Sequence, residues 1–456
     1  MRRRTFWVLD DDDQLLVEHL SAGLGRTTAR VLAYLLLRTE REDGPATILQ
    51  VQVGTGTSRS TIRDALARLE DRVLVERTTV EPNSRTHGRP PSAWRPAGDR
   101  RSSRRRTYDR HATALLERAE TIFLDRQSGD GGARADATRA DDARPADDAT
   151  SADDGARADD ATRADDATRA DDVTVAVNWR PNGLHVPFYA ATTAGWYDAY
   201  DVGVEFGHHD GSLRALDRVR SGGADVGIAG AATVLRARAE GARVVPVAVL
   251  YQRAMTVLYT VREVFGEELR SVAQLHGRRI GMPPNSETGV LGRLFVSQTA
   301  LEDDIEIAET VGEEREALLA GPADVVTGSV TDPRDLERRG KTVDALLVTD
   351  HFPIYGPTVV VRERALRTRR SVLRAFLAGT VGGWAEANQD PGPAASRIAD
   401  LGGEDPERVR TTFERAAAEF GRSDDTRDHG WGWQRERTWD RLRTALEQGR
   451  LLTGEL

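Results

Sequence analysis

The sequence predicts a multidomain chain: a mainly α-helical head and an α/β body, joined by a repetitive acidic segment. Three observations lead there. The fifteen residues from Ala158 to Asp172 read ADDATRADDATRADD, a repeat too poor in apolar side chains to build a core. Upstream of it, apolar residues recur at helical spacing. Downstream, short β-rich runs alternate with amphipathic helices. A chain of 456 residues is also too long for one typical domain.

Composition narrows the field. Cysteine is absent, which excludes disulfides, thiolate metal sites, a lipid-anchored cysteine and a cysteine nucleophile. No apolar run reaches the length a bilayer-spanning helix needs, so no membrane insertion is expected. The first residues, MRRRTFWVLDDDDQ, carry an apolar run only from Phe6 to Leu9, which is short for a secretory signal. The expected location is therefore cytoplasmic. The formal charge is −9, but residues 21–126 sum to +7 while 127–172 sum to −8. A basic block in an acidic chain points to an anionic partner for that block.

The head follows an N-terminal arm, 1–22, and occupies 23–97. In TARVLAYLLLR, Val31, Leu32, Leu35 and Leu36 share one helical face. After ATILQVQVG comes SRSTIRDALARLEDRVLVER, where Ser58 can cap a helix whose Ile62, Ala65, Leu66 and Leu69 face inward. Arg59, Ser60, Arg63 and Ala67 lie opposite, a surface suited to the major groove of duplex DNA. A strand, LVERTTV, a polar loop, PNSRTHGRPPS, and AWRPA complete a helix–turn–helix with a following hairpin, the winged helix–turn–helix arrangement.

The segment from Ser58 to Arg77 resembles the recognition-helix region of winged helix–turn–helix transcription regulators of the GntR and MarR type. That resemblance implies DNA contacts from Ser58, Arg59, Ser60, Thr61 and Arg63, with Arg85, His87 and Arg89 at the hairpin tip. A winged helix used only for protein contacts is the alternative. The run RRSSRRR from Arg100 to Arg106 adds charge for phosphates, or forms a solvated hinge. Residues 107–126 place Tyr108, Ala112, Leu115, Leu116, Ala119, Ile122 and Phe123 at helical spacing. The stripe reads as a dimerisation helix, making a homodimer that presents paired heads, or as a helix packed back on its own head.

Residues 127–172 are predicted to be a disordered linker, spanning roughly 35–40 Å as a flexible coil. On this reading head and body need not hold a fixed geometry.

In the body, 173–456, the runs VTVAVNW, VGVEFG, ADVGIA, RVVPVAVL, RRIGM, IEIAET and ADVVTG are expected strands. MTVLYTVRE (255–263) and PTVVVRERA (357–365) read alike and are taken as paired crossovers. They divide the body into lobe one, 173–258 with 359–456, and lobe two, 262–350. A small ligand is expected in the cleft between lobes.

The stretches NWRPNGLHVPFYAATTAGWYDAYDVGVEF, SGGADVGIAGAATVLRARAEGARVVPVAVL and LHGRRIGMPPNSETGVLGRL resemble the NMT1/THI5-like and SsuA-like group. The resemblance implies a two-lobed α/β type II periplasmic-binding-protein fold over most of 173–456. It implies a ligand of the thiamine-pyrimidine-precursor class or a sulfonate. Some members are pyrimidine synthases that use pyridoxal phosphate. Their cofactor lysine falls here at Ala229, their donor histidine at Thr233, and their cysteine-rich motif at PIYGP, 353–357. The expectation is thus a binder, not an enzyme, with no cofactor.

The residues supply candidates for that binding. Trp179 and Tyr189 offer flat faces to an aromatic ring, and Asn182 and His185 offer polar edges. In NSETG, Asn285, Ser286, Thr288 and Gly289 stand between a strand and a helix, where backbone N–H groups face an anion or polar ligand. Gly211 and Ser212 repeat that setting, and Thr233 joins the set by its matched position. Asp332 lies where the resemblance places a carboxylate that could pair with an aminopyrimidine. Each has a plainer alternative: Trp179 as core, His185 as a satisfied buried histidine, NSETG as a helix cap. The combined expectation is a cytoplasmic ligand-responsive transcription regulator, with double-stranded DNA and a small metabolite as partners. The alternative is a substrate-binding protein of an ABC importer with a fused winged helix.

Overall fold

In the computed structural model, residues 7–41, 44–80, 90–124, 172–310 and 312–452 are described. The head begins with a short turn and α1 (Gln14–Leu24), then α2 (Arg26–Glu40), strand β1 (Ala46–Thr47), α3 (Ile48–Thr55) and α4 (Arg59–Asp71). Strands β2 (Val75–Thr79) and β3 (Ser92–Pro96) close an antiparallel sheet of order β1-β3-β2. The predicted helical faces are the buried ones. Val31, Leu32, Leu35 and Leu36 of α2 meet Ile62, Ala65, Leu66 and Leu69 of α4 in one cluster with Trp94. Fully burying a leucine stabilises by roughly 1.5–3 kcal/mol, so this face commits the head to its helical packing. Ser58 caps α4, its hydroxyl accepting from the Thr61 N–H at 3.3 Å.

Next comes α5 (Arg100–Phe123), whose 24 residues begin in the arginine run. Those arginines form a helical turn, not a solvated hinge. Arg100 pairs with Glu40, Arg104 approaches Glu386 at 3.5 Å and stacks over Trp196, and Arg106 donates to the Val73 carbonyl.

The body runs in chain order through β4 (Val173–Val177), α6 (Val186–Thr193), α7 (Trp196–Ala199), β5 (Val204–His208), α8 (Ser212–Ser221), β6 (Val226–Gly230), α9 (Ala231–Ala239) and β7 (Val244–Val249). There follow β8 (Thr256–Val261), α10 (Arg262–Phe265), β9 (Arg279–Met282), α11 (Glu287–Gln298), β10 (Glu306–Glu309), α12 (Glu314–Ala320), β11 (Val325–Ser329), α13 (Asp332–Glu337) and β12 (Val343–Leu347). The C-terminal part holds β13 (Pro357–Arg362), α14 (Glu363–Thr368), α15 (Arg370–Ala387), α16 (Gly392–Gly402), α17 (Pro406–Glu419), α18 (Asp424–His429) and α19 (Glu436–Gln448).

These strands make two five-stranded sheets, β5-β4-β6-β13-β7 and β10-β9-β11-β8-β12. In each, one strand arriving from a crossover runs antiparallel to its neighbours: β13 in the first, β8 in the second. All of β8 therefore belongs to lobe two and all of β13 to lobe one, and the connections between lobes are 250–255 and 348–356. Strand β12 was not anticipated from the sequence. Its VDALL run carries an aspartate, and it is an edge strand with no fully buried residue. Among the described residues no helix is long and apolar enough to cross a membrane.

The stripe on α5 is covered by the chain's own body. Tyr108, Ala112, Leu115, Leu116, Ala119, Ile122 and Phe123 are buried in one cluster with Phe376, Leu377 and Trp439. The stripe is thus covered by the chain's own body, where the sequence suggests a partner copy or the head. Polar contacts fasten the same joint: Glu120 pairs with Arg370, Asp109 approaches Arg374 at 3.3 Å, and the Arg118 Nε donates to the Gln434 carbonyl at 3.1 Å. The loop after α18 seals it. The Trp431 N–H donates to the Ala22 carbonyl at 2.8 Å, its indole N–H reaches the Leu250 carbonyl at 3.3 Å, and His111 Nε2 lies 2.6 Å from its carbonyl oxygen.

Candidate functional site

Strand β4 sits between β5 and β6, so chain connections leave it in both directions. In an open α/β sheet the crevice beyond such strand ends is where ligands settle. Asn178 and Trp179 follow β4 directly. Trp179 is 52% exposed, which places it outside the core. Asn182 turns inward, its side-chain oxygen accepting from the Leu184 N–H at 2.8 Å to cap the turn before α6. His185 is buried, with Nε2 3.3 Å from the Asn178 side-chain oxygen. Burial holds its pKa down at about 3, so the ring is neutral.

Tyr189 on α6 donates to His208 Nε2 at 2.9 Å, and His208 Nδ1 lies 2.8 Å from the Trp179 carbonyl. A carbonyl only accepts, so Nδ1 carries the proton and Nε2 is free to accept from Tyr189. Burial pushes the Tyr189 hydroxyl up to about 12, keeping it a donor. Trp179, His185 and Tyr189 thus gather with His208, a residue the sequence reading did not single out although the pair His208–His209 stands in plain view.

The other lobe-one candidates surround helix N-termini. Gly211 adopts φ +94°, a conformation that favours glycine, and its N–H donates to the Asn178 carbonyl at 3.0 Å. The Ser212 hydroxyl is buried and accepts from the Gly230 N–H at 3.0 Å. Thr233 lies in the first turn of α9. Ala229, at the position of the synthases' lysine, is buried within β6.

Lobe two contributes the NSETG turn. Ser286 caps α11 by accepting from the Gly289 N–H at 3.0 Å and lies 2.9 Å from the Thr288 hydroxyl, while Asn285 is exposed. The residue of this motif that reaches lobe one is Glu287, which was not among the candidates. Its carboxylate accepts from the Ala232 N–H at 3.1 Å, the Thr233 N–H at 2.8 Å and the Thr233 hydroxyl at 2.5 Å.

Asp332 is turned to its own lobe. It accepts from the Ser329 N–H at 2.7 Å, and burial raises its pKa to about 6. At the far rim of the seam Asp335 meets Arg408 at 2.9 Å across the lobes. Beside that pair, Leu184, Val330, Thr331 and Phe420 line a cavity of about 10 Å³, the room of one water.

A larger cavity, about 650 Å³, lies between head and body, lined by Asp12, His19, Arg101, Arg104, Trp196 and Glu386 among others.

On the head, Arg59, Ser60, Arg63 and Ala67 are exposed along one side of α4, and Thr61 is partly buried. The Ser58 hydroxyl lies within 3.0 Å of the Ser60 hydroxyl and 2.7 Å of the Thr61 hydroxyl. Arg85, His87 and Arg89 lie outside the described residues.

The body therefore has the two-lobed α/β architecture of periplasmic-binding proteins. The aliphatic sulphonate binding protein SsuA of Escherichia coli shares it with a TM-score of 0.51 at 15% identity, over 62% of this chain and 94% of that one. The SsuA of Xanthomonas axonopodis bound to MOPS aligns with a TM-score of 0.49 at 16% identity, over 63% and 96%. Residues 182–394 match the family model "NMT1/THI5 like". A riboflavin-binding protein, RibY of Chloroflexus aurantiacus, is 28% identical over 227 residues, 48% of this chain. The chain spans 63% of the length of that curated relative.

Proposed function

We propose that the chain is a solute receptor of the kind that serves ABC importers, whose two-lobed body takes up a small nitrogen heterocycle in the crevice beyond β4, β6, β9 and β11. The observation that supports this reading is the network after β4, where Tyr189 donates to His208, His208 lies against the Trp179 carbonyl and the Gly211 N–H reaches Asn178, while Glu287 beside Ser286 crosses from lobe two to Thr233. Flat rings with neutral polar edges suit a ring system such as a flavin or an aminopyrimidine. The riboflavin named for the RibY relative is of this class, and so are the thiamine pyrimidine precursors. Binding without turnover agrees with the binding roles named for the matched relatives.

The test is a thermal-shift titration of the full chain with riboflavin, thiamine, a hydroxymethylpyrimidine and ethanesulfonate. A heterocycle at one hundred times its Kd is expected to stabilise the fold by about 2.7 kcal/mol. Failure of every compound to move the melting point rejects the receptor reading.

A second reading is favoured by the head. After α1, the order α2, β1, α3, α4, β2, β3 agrees with what a winged helix would need, and Arg59 and Arg63 stand exposed on the helix that would enter a major groove. Ligand-dependent DNA binding in the cytoplasm needs a mechanical link, and the joint supplies a path. Trp431 touches Ala22 of the head and Leu250 of the crossover, while Gln252 in the same crossover donates to the Trp433 carbonyl at 3.0 Å. Lobe motion about 250–255 would then be felt at α1. The check is a salt series with the full chain and mixed duplex DNA. The variant R59A/R63A is expected to lower the slope of log K against log salt by about 2. An unchanged slope rejects the winged-helix reading.

A further inference from the structure

We infer that Glu287 decides which ligand charge the crevice accepts: its carboxylate occupies the anion seat at the N-terminus of α9 and thereby bars sulfonate- and phosphate-bearing solutes. The inference rests on the receptor reading and deepens it.

The opening N–H groups of a helix have no partner within the helix, and the positive end of the helix dipole lies beside them. At the mouth of an α/β crevice, such groups are a ready seat for an oxyanion. In this chain the seat is taken from the opposite lobe. Both oxygens of Glu287 are used, one accepting from Ala232 and the other from the backbone and hydroxyl of Thr233. Glu287 is itself the first residue of α11, so the starts of two helices face one carboxylate.

The surroundings are built around this contact. A Cβ on Gly230 would fall 2.1 Å from the Glu287 side-chain carbon Cδ, so the end of β6 leaves room for the carboxylate only as glycine. Burial raises the Glu287 pKa above the ordinary carboxylate value, and the Thr233 hydroxyl, the Thr233 and Ala232 N–H groups and Arg236, one turn further along α9, work against that shift in favour of the charged form. A sulfonate or phosphate entering here would need the same three donors and would meet a like charge in place. An uncharged ring needs neither.

The experiment titrates the full chain and the variants E287A and E287Q with sodium methanesulfonate and sodium sulfate, against sodium chloride at matched ionic strength, by calorimetry. The wild-type chain is expected to show no saturable uptake of either anion. E287A is expected to bind both at least tenfold more tightly, and E287Q to fall between, because its amide keeps an acceptor without the charge. Saturable anion binding by the wild-type chain overturns the inference, as does the absence of any gain in both variants. Should E287A fail to fold, E287Q carries the same comparison. A chain that binds no heterocycle would sink the receptor reading and leave this result standing on its own.

Discussion

The chain has two internal boundaries, and their polar contacts differ. Between head and body, seven residues of α5 are buried against α15 and α19, and Trp431 closes the joint with three backbone-directed contacts. Between the lobes, the Glu287 carboxylate and the partly exposed Asp335–Arg408 pair cross the seam beside apolar packing, for Val290, Leu291, Leu294 and Phe295 of α11 share one buried cluster with Tyr355 and Trp439. Apolar burial is lost only by unfolding, whereas hydrogen bonds and partly exposed ion pairs exchange readily with water. The polar bridges of the seam are thus its most readily exchanged contacts.

The largest effect expected of this contrast falls on the joint. Trp431→Ala removes a buried indole and should lower stability by about 3–5 kcal/mol in urea denaturation of the full chain. A loss below 1 kcal/mol would show that the joint is not part of the cooperative core. Acid should act on the same place. His111 is buried, and burial holds its pKa at about 3, so the native state keeps the ring neutral. Its contribution is complete above the unfolded-state value near 6.5 and is lost as pH falls through the window from 6.5 to 3. Between pH 7.5 and 5.0 the loss is about 2 kcal/mol, and His111→Gln should flatten that part of the stability profile.

Asp332, bonded within lobe two, should respond in the opposite sense. Burial raises Asp332 to about 6, so the folded state favours the protonated carboxyl. Its contribution is complete below the unfolded-state value near 3.9 and is lost as pH rises through 6. Asp332→Asn should therefore gain about 1–2 kcal/mol relative to wild type at pH 7.5 and little at pH 4, read from urea midpoints. The smallest effect belongs to Arg408→Ala, at most about 1 kcal/mol of stability, yet it should increase the radius of gyration in small-angle scattering by freeing one rim. Equal scattering from variant and wild type would show that this pair does not hold the rim closed.

Much of the fold was legible because it rests on local periodicity. The inward faces of α2 and α4, the seven anticipated strands and the stripe on α5 all follow from spacing. What covers that stripe did not follow, because Phe376 and Trp439 lie some 250 to 320 residues further on and no local pattern links them to Leu115. The site was legible in its parts. NSETG was recognisable as the start of a helix, but its backbone was read as the ligand-facing feature, and the residue that crosses the seam, Glu287, looked like ordinary helix-start acid. Asp332 shows the reverse case: a matched position suggested a ligand contact, and the side chain instead caps its own turn.

One consequence follows from where α5 ends. Leu124 packs on the body and the Asp172 carbonyl accepts from Arg369, so the described chain on either side of 125–171 is fastened to the body. A protease that nicked the chain between those anchors should release no half-molecule, because the two fragments would stay associated through Leu115, Leu116 and Trp431. The same site is where the polypeptide could be expressed as two separate pieces and reassembled.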